Sequence, residues 1–221
     1  MEQRPIDRLA PILLLIAVYG IVWIDLFLPQ PQTELFSTVW YGFSAAKSAL
    51  RIVFILLAMR LWLGFEEFNF GISGIFPTAK DVANGILVAA SAVLVALLFA
   101  LLALFSGATN PLLSPLAGGG EKPLTLLAMI LSSLGIGYSE ELFFRFFAVR
   151  TLEKACFSAS AAILASALIF GVSHGSQGIF GMIGAAMLAL IFSFFRTKGK
   201  GLHALALGHA LYDLVILLAV T

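Results

Sequence analysis

The sequence has 221 residues, of which 61% are hydrophobic and 11% are charged, and its formal net charge at pH 7 is +1. A soluble domain carries about 25% charged residues, so this composition excludes a soluble protein and indicates an integral membrane protein. The small net charge and the lack of a long basic run exclude a nucleic-acid partner. The single cysteine, Cys156, excludes an internal disulfide.

Seven apolar segments have about the length that crosses a bilayer, which is roughly 20 residues. They are residues 9–28, 39–63, 83–105, 124–152, 157–174, 178–195 and 202–220. Because lipid cannot satisfy open backbone groups, each segment is predicted to be a helix. The predicted fold is all-α, a polytopic membrane bundle of about seven transmembrane helices, with six and eight as the limits.

The first apolar segment follows Arg4 and Arg8, as in a signal sequence, but no small-x-small cleavage site follows it. We therefore expect it to be retained as a span. Alternation of the spans places only Lys122 in a connection on one side of the membrane. The basic residues on the other side are Arg4, Arg8, Arg60, Lys80, Arg150, Lys154, Arg196, Lys198 and Lys200. This asymmetry predicts a cytoplasmic N-terminus, and the short loops favour a prokaryotic plasma membrane.

A segment rich in helix breakers divides the chain. Residues 106–122 contain Pro111, Pro115 and three consecutive glycines, which is typical of a loop, here on the non-cytoplasmic side. All three histidines follow it. We therefore expect residues 1–122 to form N-terminal transmembrane helices of unassigned role, and residues 123–221 to carry the chemistry.

Two carboxylates and an arginine lie inside the fourth apolar segment, in the run GYSEELFFR from Gly137 to Arg145. Ionisable side chains at membrane depth are costly, so function is their default explanation. Glu141 and Arg145 are four apart, the favoured spacing and order for an ion pair on one helix face. Glu140 lies about 100° around the helix from Glu141 and is predicted to be a general base. The alternative is a buried charge cluster that only packs helices, although buried ion pairs are at best weakly stabilising.

Polar residues recur in two later segments. His174 ends the run FGVSH, and the glycines after it allow a helix to stop there. His209 and Asp213 are four apart and share one face of the last helix. A single histidine in a membrane segment is more often an interfacial or packing residue than a catalyst, but this collection over three late helices favours a catalytic site.

Three motifs in this order resemble the CPBP family, also called the CAAX protease and bacteriocin-processing or Abi family, of intramembrane glutamic endopeptidases. The family includes the type II CAAX prenyl endopeptidases. Its motifs are E-E-x-x-x-R, F-x-x-x-H and H-x-x-x-N or D. The matching residues are Glu140, Glu141 and Arg145, then Phe170 and His174, then His209 and Asp213. The resemblance covers residues 124–221.

The resemblance implies metal-independent hydrolysis of a peptide bond, without a cofactor, in a membrane-associated protein or peptide. Glu140 with His174 would activate a water, and His209 with residue 213 would stabilise the oxyanion. Glu141 and Arg145 would be a structural pair. The candidate substrates are a prenylated CAAX protein, the leader of a secreted peptide and a C-terminal sorting tail, and nothing in the sequence defines an oligomeric state.

Asp213 departs from the best-understood members, which carry asparagine at this position. An ionised aspartate repels an oxyanion, so Asp213 either holds His209 protonated, as an orienting carboxylate does, or is itself protonated.

The motif residues are predicted at different depths in the bilayer, if each span is a straight helix that rises ~1.5 Å per residue. Glu140 is near the middle of its segment, whereas His174 is predicted near the outer face. The helices must therefore be tilted, shifted or broken to bring the two together. The candidate break points are Gly135, Gly137, Gly171, Gly175 and Gly178.

Other chemistries are open for the same residues. Glu140, His174, His209 and Asp213 are all possible zinc ligands, although the chain lacks H-E-x-x-H. A proton-coupled transporter would use similar residues but would show an inverted repeat, which the sequence lacks. A non-enzymatic assembly or immunity protein would have degenerate motifs, and here they are intact.

A nucleophilic side chain is a further alternative. Ser139 beside Glu140, or Ser173 beside His174, would be a serine nucleophile, and Cys156 a thiolate. Packing is the more common role of small residues between membrane helices.

Lys47 and Arg51 are four apart near the middle of the second apolar segment. In one interpretation residues 33–48 form an interfacial helix, or Lys47 snorkels and Arg51 pairs with an acid such as Asp25. In a second, the basic pair receives a substrate carboxylate. His203, near the cytoplasmic turn, is predicted to be interfacial.

Overall fold

The computed structural model describes residues 5–24, 35–64, 74–107 and 123–220, and these form helices without any strand. The helices are α1 (Pro5–Val22), α2 (Thr38–Trp62), α3 (Ala79–Ser106), α4 (Pro123–Glu141), α5 (Val149–Lys154), α6 (Ala159–Ser173), α7 (Gly178–Thr197) and α8 (Leu202–Val220). A π-helical segment, Leu142–Ala148, joins α4 to α5, so Pro123–Lys154 is one continuous rod. A single 3-10 turn, Gly175–Gln177, separates α6 from α7.

Five of these helical segments are long and apolar enough to cross a membrane, and the chain is a multi-pass membrane protein. They are Thr38–Trp62, Ala79–Ser106, Pro123–Lys154, Gly175–Thr197 and Leu202–Ala219. The apolar parts of α1 and α6, Leu9–Val22 and Ala159–Ser173, are shorter. The predicted all-α membrane bundle is confirmed, and the helix ends agree with the prediction to within four residues except at the end of α1. Residues 25–28 of that first predicted span lie outside the described ranges.

Local hydrogen bonds set where the helices begin and end. Thr78 precedes α3 and forms a capping box, in which Asp81 N donates to Thr78 Oγ1 and Asp81 Oδ2 accepts from Thr78 N. Gly107 ends α3 with a φ of 69°, a left-handed conformation that glycine adopts without strain. Ser37 caps the start of α2 by accepting from Trp40 N. The prediction of a separate interfacial helix over residues 33–48 is wrong, because one uninterrupted helix passes through Lys47 and Arg51.

Neighbouring helices pack in the directions that alternating membrane crossings require. Thr38 bonds Thr125 at 2.6 Å between hydroxyl oxygens, and Ser48 contacts Gly135 further along, so α2 and α4 are parallel. Lys200 Nζ donates to Asn84 Oδ1 at 2.8 Å, and α3 and α8 are parallel too. One crossing separates α2 from α4, and three separate α3 from α8. Two helices separated by an odd number of crossings run in the same direction, in agreement with both contacts. The cytoplasmic position of the N-terminus stays a prediction.

Glycines allow the helix backbones to approach closely around α4 and α8. A Cβ added to Gly137 would lie 2.5 Å from Ala206 O on α8. One added to Gly208 would lie 2.6 Å from the Val88 side chain on α3. Small residues at such contacts are the usual way in which membrane helices pack. Gly135 and Gly137, predicted as break points, instead lie in regular helix and serve this close packing.

The regular α-helical geometry is interrupted at two places beside the predicted site. The π-helical segment begins directly after Glu141, and such wide turns recur at functional sites. At the second place α6 ends at Ser173, His174 caps it, and Gly178 has a φ of 74° after the 3-10 turn. The predicted break after His174 is confirmed; the π-helical segment was not predicted.

Gly137→Ala is expected to destabilise the protein by about 1–3 kcal/mol, the usual cost of overpacking, because its methyl group would force α4 and α8 apart. Gly42→Ala is the matched control, since a Cβ there has no heavy atom within 4 Å. Unfolding midpoints in detergent should fall for Gly137→Ala alone. Equal midpoints would contradict the close approach of the two helices.

Candidate active site

Glu141 and Arg145 form the predicted ion pair, in which Arg145 Nε lies 3.1 Å from Glu141 Oε2. Glu141 ends α4, and Arg145 lies in the π-helical segment. Their side chains are 0% and 1% exposed. The guanidinium also lies over aromatic rings of Phe144, Phe170 and Phe192, at 5.9, 4.7 and 5.5 Å from the ring centroids. The negative ring faces further stabilise the buried cation.

The second oxygen of Glu141 holds His209. His209 Nδ1 donates to Glu141 Oε1 at 2.9 Å, and Phe192 stacks on the imidazole at a centroid distance of 5.2 Å. The carboxylate of Glu141 therefore binds one cation from its own rod and one imidazole from α8. Because Nδ1 is used in this bond, only Nε2 of His209 is available on the opposite edge of the ring.

Glu140 and Asp213 both face that second nitrogen. His209 Nε2 lies 3.7 Å from Glu140 Oε2 and 3.6 Å from Asp213 Oδ1. The two side chains are 12% and 21% exposed, in contrast to the fully buried Glu141. The adjacent glutamates thus have different environments: one is enclosed with two partners, and the other lies at the accessible edge of the cluster.

His174 joins the cluster through Phe170, the other residue of its motif. His174 Nδ1 donates to Phe170 O at 2.8 Å, which leaves Nε2 without a proton in the neutral ring. The Phe170 ring lies 4.5 Å from the imidazole of His174 and 6.2 Å from that of His209, between centroids. All six predicted site residues therefore belong to one cluster of charges and rings.

The short α6 ends beside the cluster. With 15 residues the helix rises about 22 Å, less than the ~30 Å thickness of the hydrocarbon. His174, its C-terminal cap, contacts the cluster through Phe170. The position of His174 near the outer face stays a prediction.

Residues at the end of α1, which the sequence did not connect to the site, contact residues adjoining it. Tyr19 of α1 bonds Ser173 at 2.7 Å between oxygens. Trp23 packs against Phe143 and Phe144, with ring centroids 4.6 and 5.1 Å apart. The one feature of the sequence that could have indicated these contacts is the spacing of Tyr19 and Trp23, two aromatic residues four apart near the end of the first span.

Arg51 contacts the end of α1. Its Nε donates to Val22 O at 2.9 Å, and its guanidinium lies 5.2 Å from the Trp23 ring centroid. Lys47 Nζ lies 5.4 Å from the ring centroid of Phe43. Asp25, the suggested acidic partner, is outside the described residues. Binding of a substrate carboxylate by the basic pair stays a prediction.

The alternative nucleophiles are engaged in local structure. Ser139 is fully buried and donates to Ile136 O at 3.1 Å. Ser173 donates to Ile169 O at 2.8 Å, so neither hydroxyl proton is directed to a histidine. Cys156 lies exposed in the turn after α5. Over the ranges that the structure covers, no three His, Cys, Asp or Glu side chains are grouped as metal ligands.

His203 lies outside the cluster and is buried, with 6% exposure, while its position at the membrane interface stays a prediction. Its Nε2 donates to Gly74 O at 3.1 Å, and its Nδ1 accepts from the Tyr138 hydroxyl at 2.7 Å. These bonds connect α4 and α8 to the segment before α3. Both ring nitrogens are therefore used in structural bonds.

Comparison with known proteins identifies the region that holds this cluster. The family model described as type II CAAX prenyl endopeptidase, Rce1-like, matches residues 122–215. No curated protein and no solved structure matches the chain. The matched region contains every residue of the three motifs, in agreement with the resemblance found from the sequence. The protein is therefore a multi-pass membrane protein whose residues 122–215 are similar to the Rce1-like type II CAAX prenyl endopeptidases.

Proposed function

We propose that the protein is an intramembrane glutamic endopeptidase, which hydrolyses a peptide bond in a membrane-associated protein or peptide with Glu140 as the base. The family match supports peptidase activity. The assignment of Glu140 rests mainly on the contrast between the two glutamates. Glu141 is fully buried with two partners, whereas Glu140 is partly exposed, with Oε2 3.7 Å from His209 Nε2.

Glu140 has the acceptor capacity that a water-activating carboxylate needs. Its Oε2 accepts no hydrogen bond from the described protein groups. A carboxylate oxygen with free lone pairs can accept a proton from a bound water. In the proposed reaction, the water oxygen attacks the peptide carbonyl carbon while its proton passes to Glu140. The same proton then passes to the leaving nitrogen as the C–N bond breaks.

His174 supports this base by holding the water. Since its Nδ1 donates to Phe170 O, its unprotonated Nε2 is an acceptor. An imidazole and a carboxylate that accept from one water increase its nucleophilicity and restrict its orientation. This arrangement requires no metal ion, because two side chains activate the water.

His209 is the proposed donor to the oxyanion. Glu141 fixes its ring through Nδ1, so the imidazolium form would direct the Nε2 proton toward the substrate. Asp213, 3.6 Å from that nitrogen, is then a negative charge that favours the imidazolium form. Glu141 and Arg145 act as a structural pair that keeps this ring in place.

The family supports a protein with a prenylated CAAX C-terminus as the first substrate class to test. Removal of a peptide leader or of a sorting tail would use the same hydrolytic groups. A cytoplasmic N-terminus, supported by the distribution of basic residues, is part of the proposal.

Glu140→Gln is expected to abolish cleavage without unfolding the protein, because the change is nearly isosteric and removes only the base. Glu153→Gln, at the partly exposed ion pair with Arg150, is the control with the same chemical change. Protein termini are compared in membranes from cells that express each variant at equal level, with and without chelator. Termini that vanish only with Glu140→Gln are expected. Equal termini in wild type and Glu140→Gln would contradict the mechanism, and loss on chelation would contradict metal independence.

Arg145→Met is expected to destabilise the protein by about 3–5 kcal/mol, because it leaves the Glu141 carboxylate buried without its cation. Arg150→Met removes a half-exposed arginine from its pair with Glu153 and should cost only ~0–1 kcal/mol. Denaturant unfolding in detergent measures both. Adding Glu141→Gln to Arg145→Met should restore part of the loss. Equal effects of the two arginine variants would show that the Glu141 pair is not a structural one.

Asp213→Asn is expected to keep cleavage, since the amide can still bond beside His209 and the family pattern allows either residue. Asp213→Leu, with a similar volume and no polar atom, should abolish it. Initial cleavage rates at matched protein levels measure the difference. An asparagine variant as inactive as the leucine variant would show that the charge of Asp213 is required.

A further inference from the structure

The end of α6 is held by two successive side chains. Ser173 Oγ donates to Ile169 O at 2.8 Å, and His174 Nδ1 donates to Phe170 O, also at 2.8 Å. The last carbonyls of a helix have no partner within the helix, so such bonds stabilise its final turn. The orientation of His174 therefore depends on the geometry of this turn.

Tyr19 fixes the same turn from α1. The Ser173 hydroxyl has one proton, which it donates to Ile169 O. At the 2.7 Å contact, the Tyr19 hydroxyl must therefore be the donor and Ser173 Oγ the acceptor. This bond connects residues that are 154 positions apart, and Ser173 directly precedes His174.

A second connection from α1 runs through aromatic rings. Trp23, in the turn directly after α1, stacks on Tyr19 at a centroid distance of 5.4 Å. Trp23 contacts Phe144 at 5.1 Å, and Phe144 meets Phe170 edge to face at 4.9 Å. Phe170 in turn packs on the imidazole of His174. The end of α1 thus reaches both the backbone beside His174 and the ring against it.

The end of α1 is itself held in place. Arg51 of α2 donates to Val22 O and lies over the Trp23 ring. A charged donor at the last carbonyls of a helix is also favourable with respect to the helix dipole. The position of Tyr19 is therefore set by contacts from two helices.

We propose that α1, outside the matched region 122–215, forms part of the active site, and that Tyr19 is a positioning residue for His174. The inference rests on the proposed role of His174 in holding the attacking water. The Tyr19 bond keeps the last turn of α6 in the geometry that directs Nε2 toward that water. Small displacements of such a group reduce the rate of the chemical step rather than substrate binding.

Tyr19→Phe removes only the hydroxyl and is expected to lower kcat about tenfold with KM unchanged. Ser173→Ala removes the acceptor and should have a similar effect, and the double variant should be no slower than either single one, as expected for one shared bond. The probe is a synthetic peptide spanning the bond identified in the comparison of membrane-protein termini. Additive effects, or an unchanged kcat in Tyr19→Phe, would overturn the proposal.

Thr38→Val is the matched control, because it removes a bond between two helices, also hydroxyl to hydroxyl, at Thr125. It should leave kcat unchanged, and an equal loss would indicate general helix loosening instead of positioning. Glu140→Gln is measured in the same series. If Glu140→Gln is as active as wild type, the proposed function fails; if it is inactive while Tyr19→Phe is fully active, only the positioning role fails.

A measurement that needs no substrate tests the contact in either case. Diethyl pyrocarbonate modifies unprotonated imidazole, and mass spectrometry resolves the three histidines. His174 should react fastest, since His203 and His209 are buried. Tyr19→Phe should raise the rate at His174 severalfold and leave the other two unchanged. An unchanged rate at His174 would show that Tyr19 does not restrain it.

Discussion

The bridging carboxylate of Glu141 is the interaction on which the arrangement of the site depends. It is fully buried and binds Arg145 through one oxygen and His209 through the other. In a low-dielectric interior, an isolated carboxylate would be very costly, so the two partners must stay in place together. The same requirement fixes the distance and rotation between α8 and the rod formed by α4 and α5. Glu140 and Asp213 then lie at the opposite nitrogen of His209 as a geometric consequence.

Two features of the backbone make this bridge possible. Gly137 allows α4 to approach α8 so closely that a methyl group would clash with Ala206 O. Directly after Glu141, the i→i+5 hydrogen bonds of the π-helical segment widen the rod, and the Arg145 guanidinium reaches back to Glu141 from within it. A wide turn of this kind is seldom stable alone; here it is buried among the Phe rings that surround Arg145.

Residues of the first half of the chain contact the cluster in the second half. The matched family region starts at residue 122, but Tyr19 and Trp23 pack against groups next to His174 and Arg145. Arg51 ties these residues to α2. The expected division into helices of unassigned role and a catalytic segment therefore separates residues that are in contact. The end of the first helix therefore packs against the segments that carry the three motifs.

The positions of the helices and the spacing of the motif residues could be predicted from the sequence. Lipid requires long apolar helices, so composition predicted their ends closely, and the spacing of Glu141 and Arg145 predicted an ion pair because both lie on one helix. The three-dimensional structure was needed to show that Glu141 also binds His209, that α6 ends beside the cluster and that Tyr19 reaches Ser173. It also showed that His203, predicted at the interface, is buried between Tyr138 and Gly74. These contacts join residues far apart in the chain, and local spacing carries no information about which helices become neighbours.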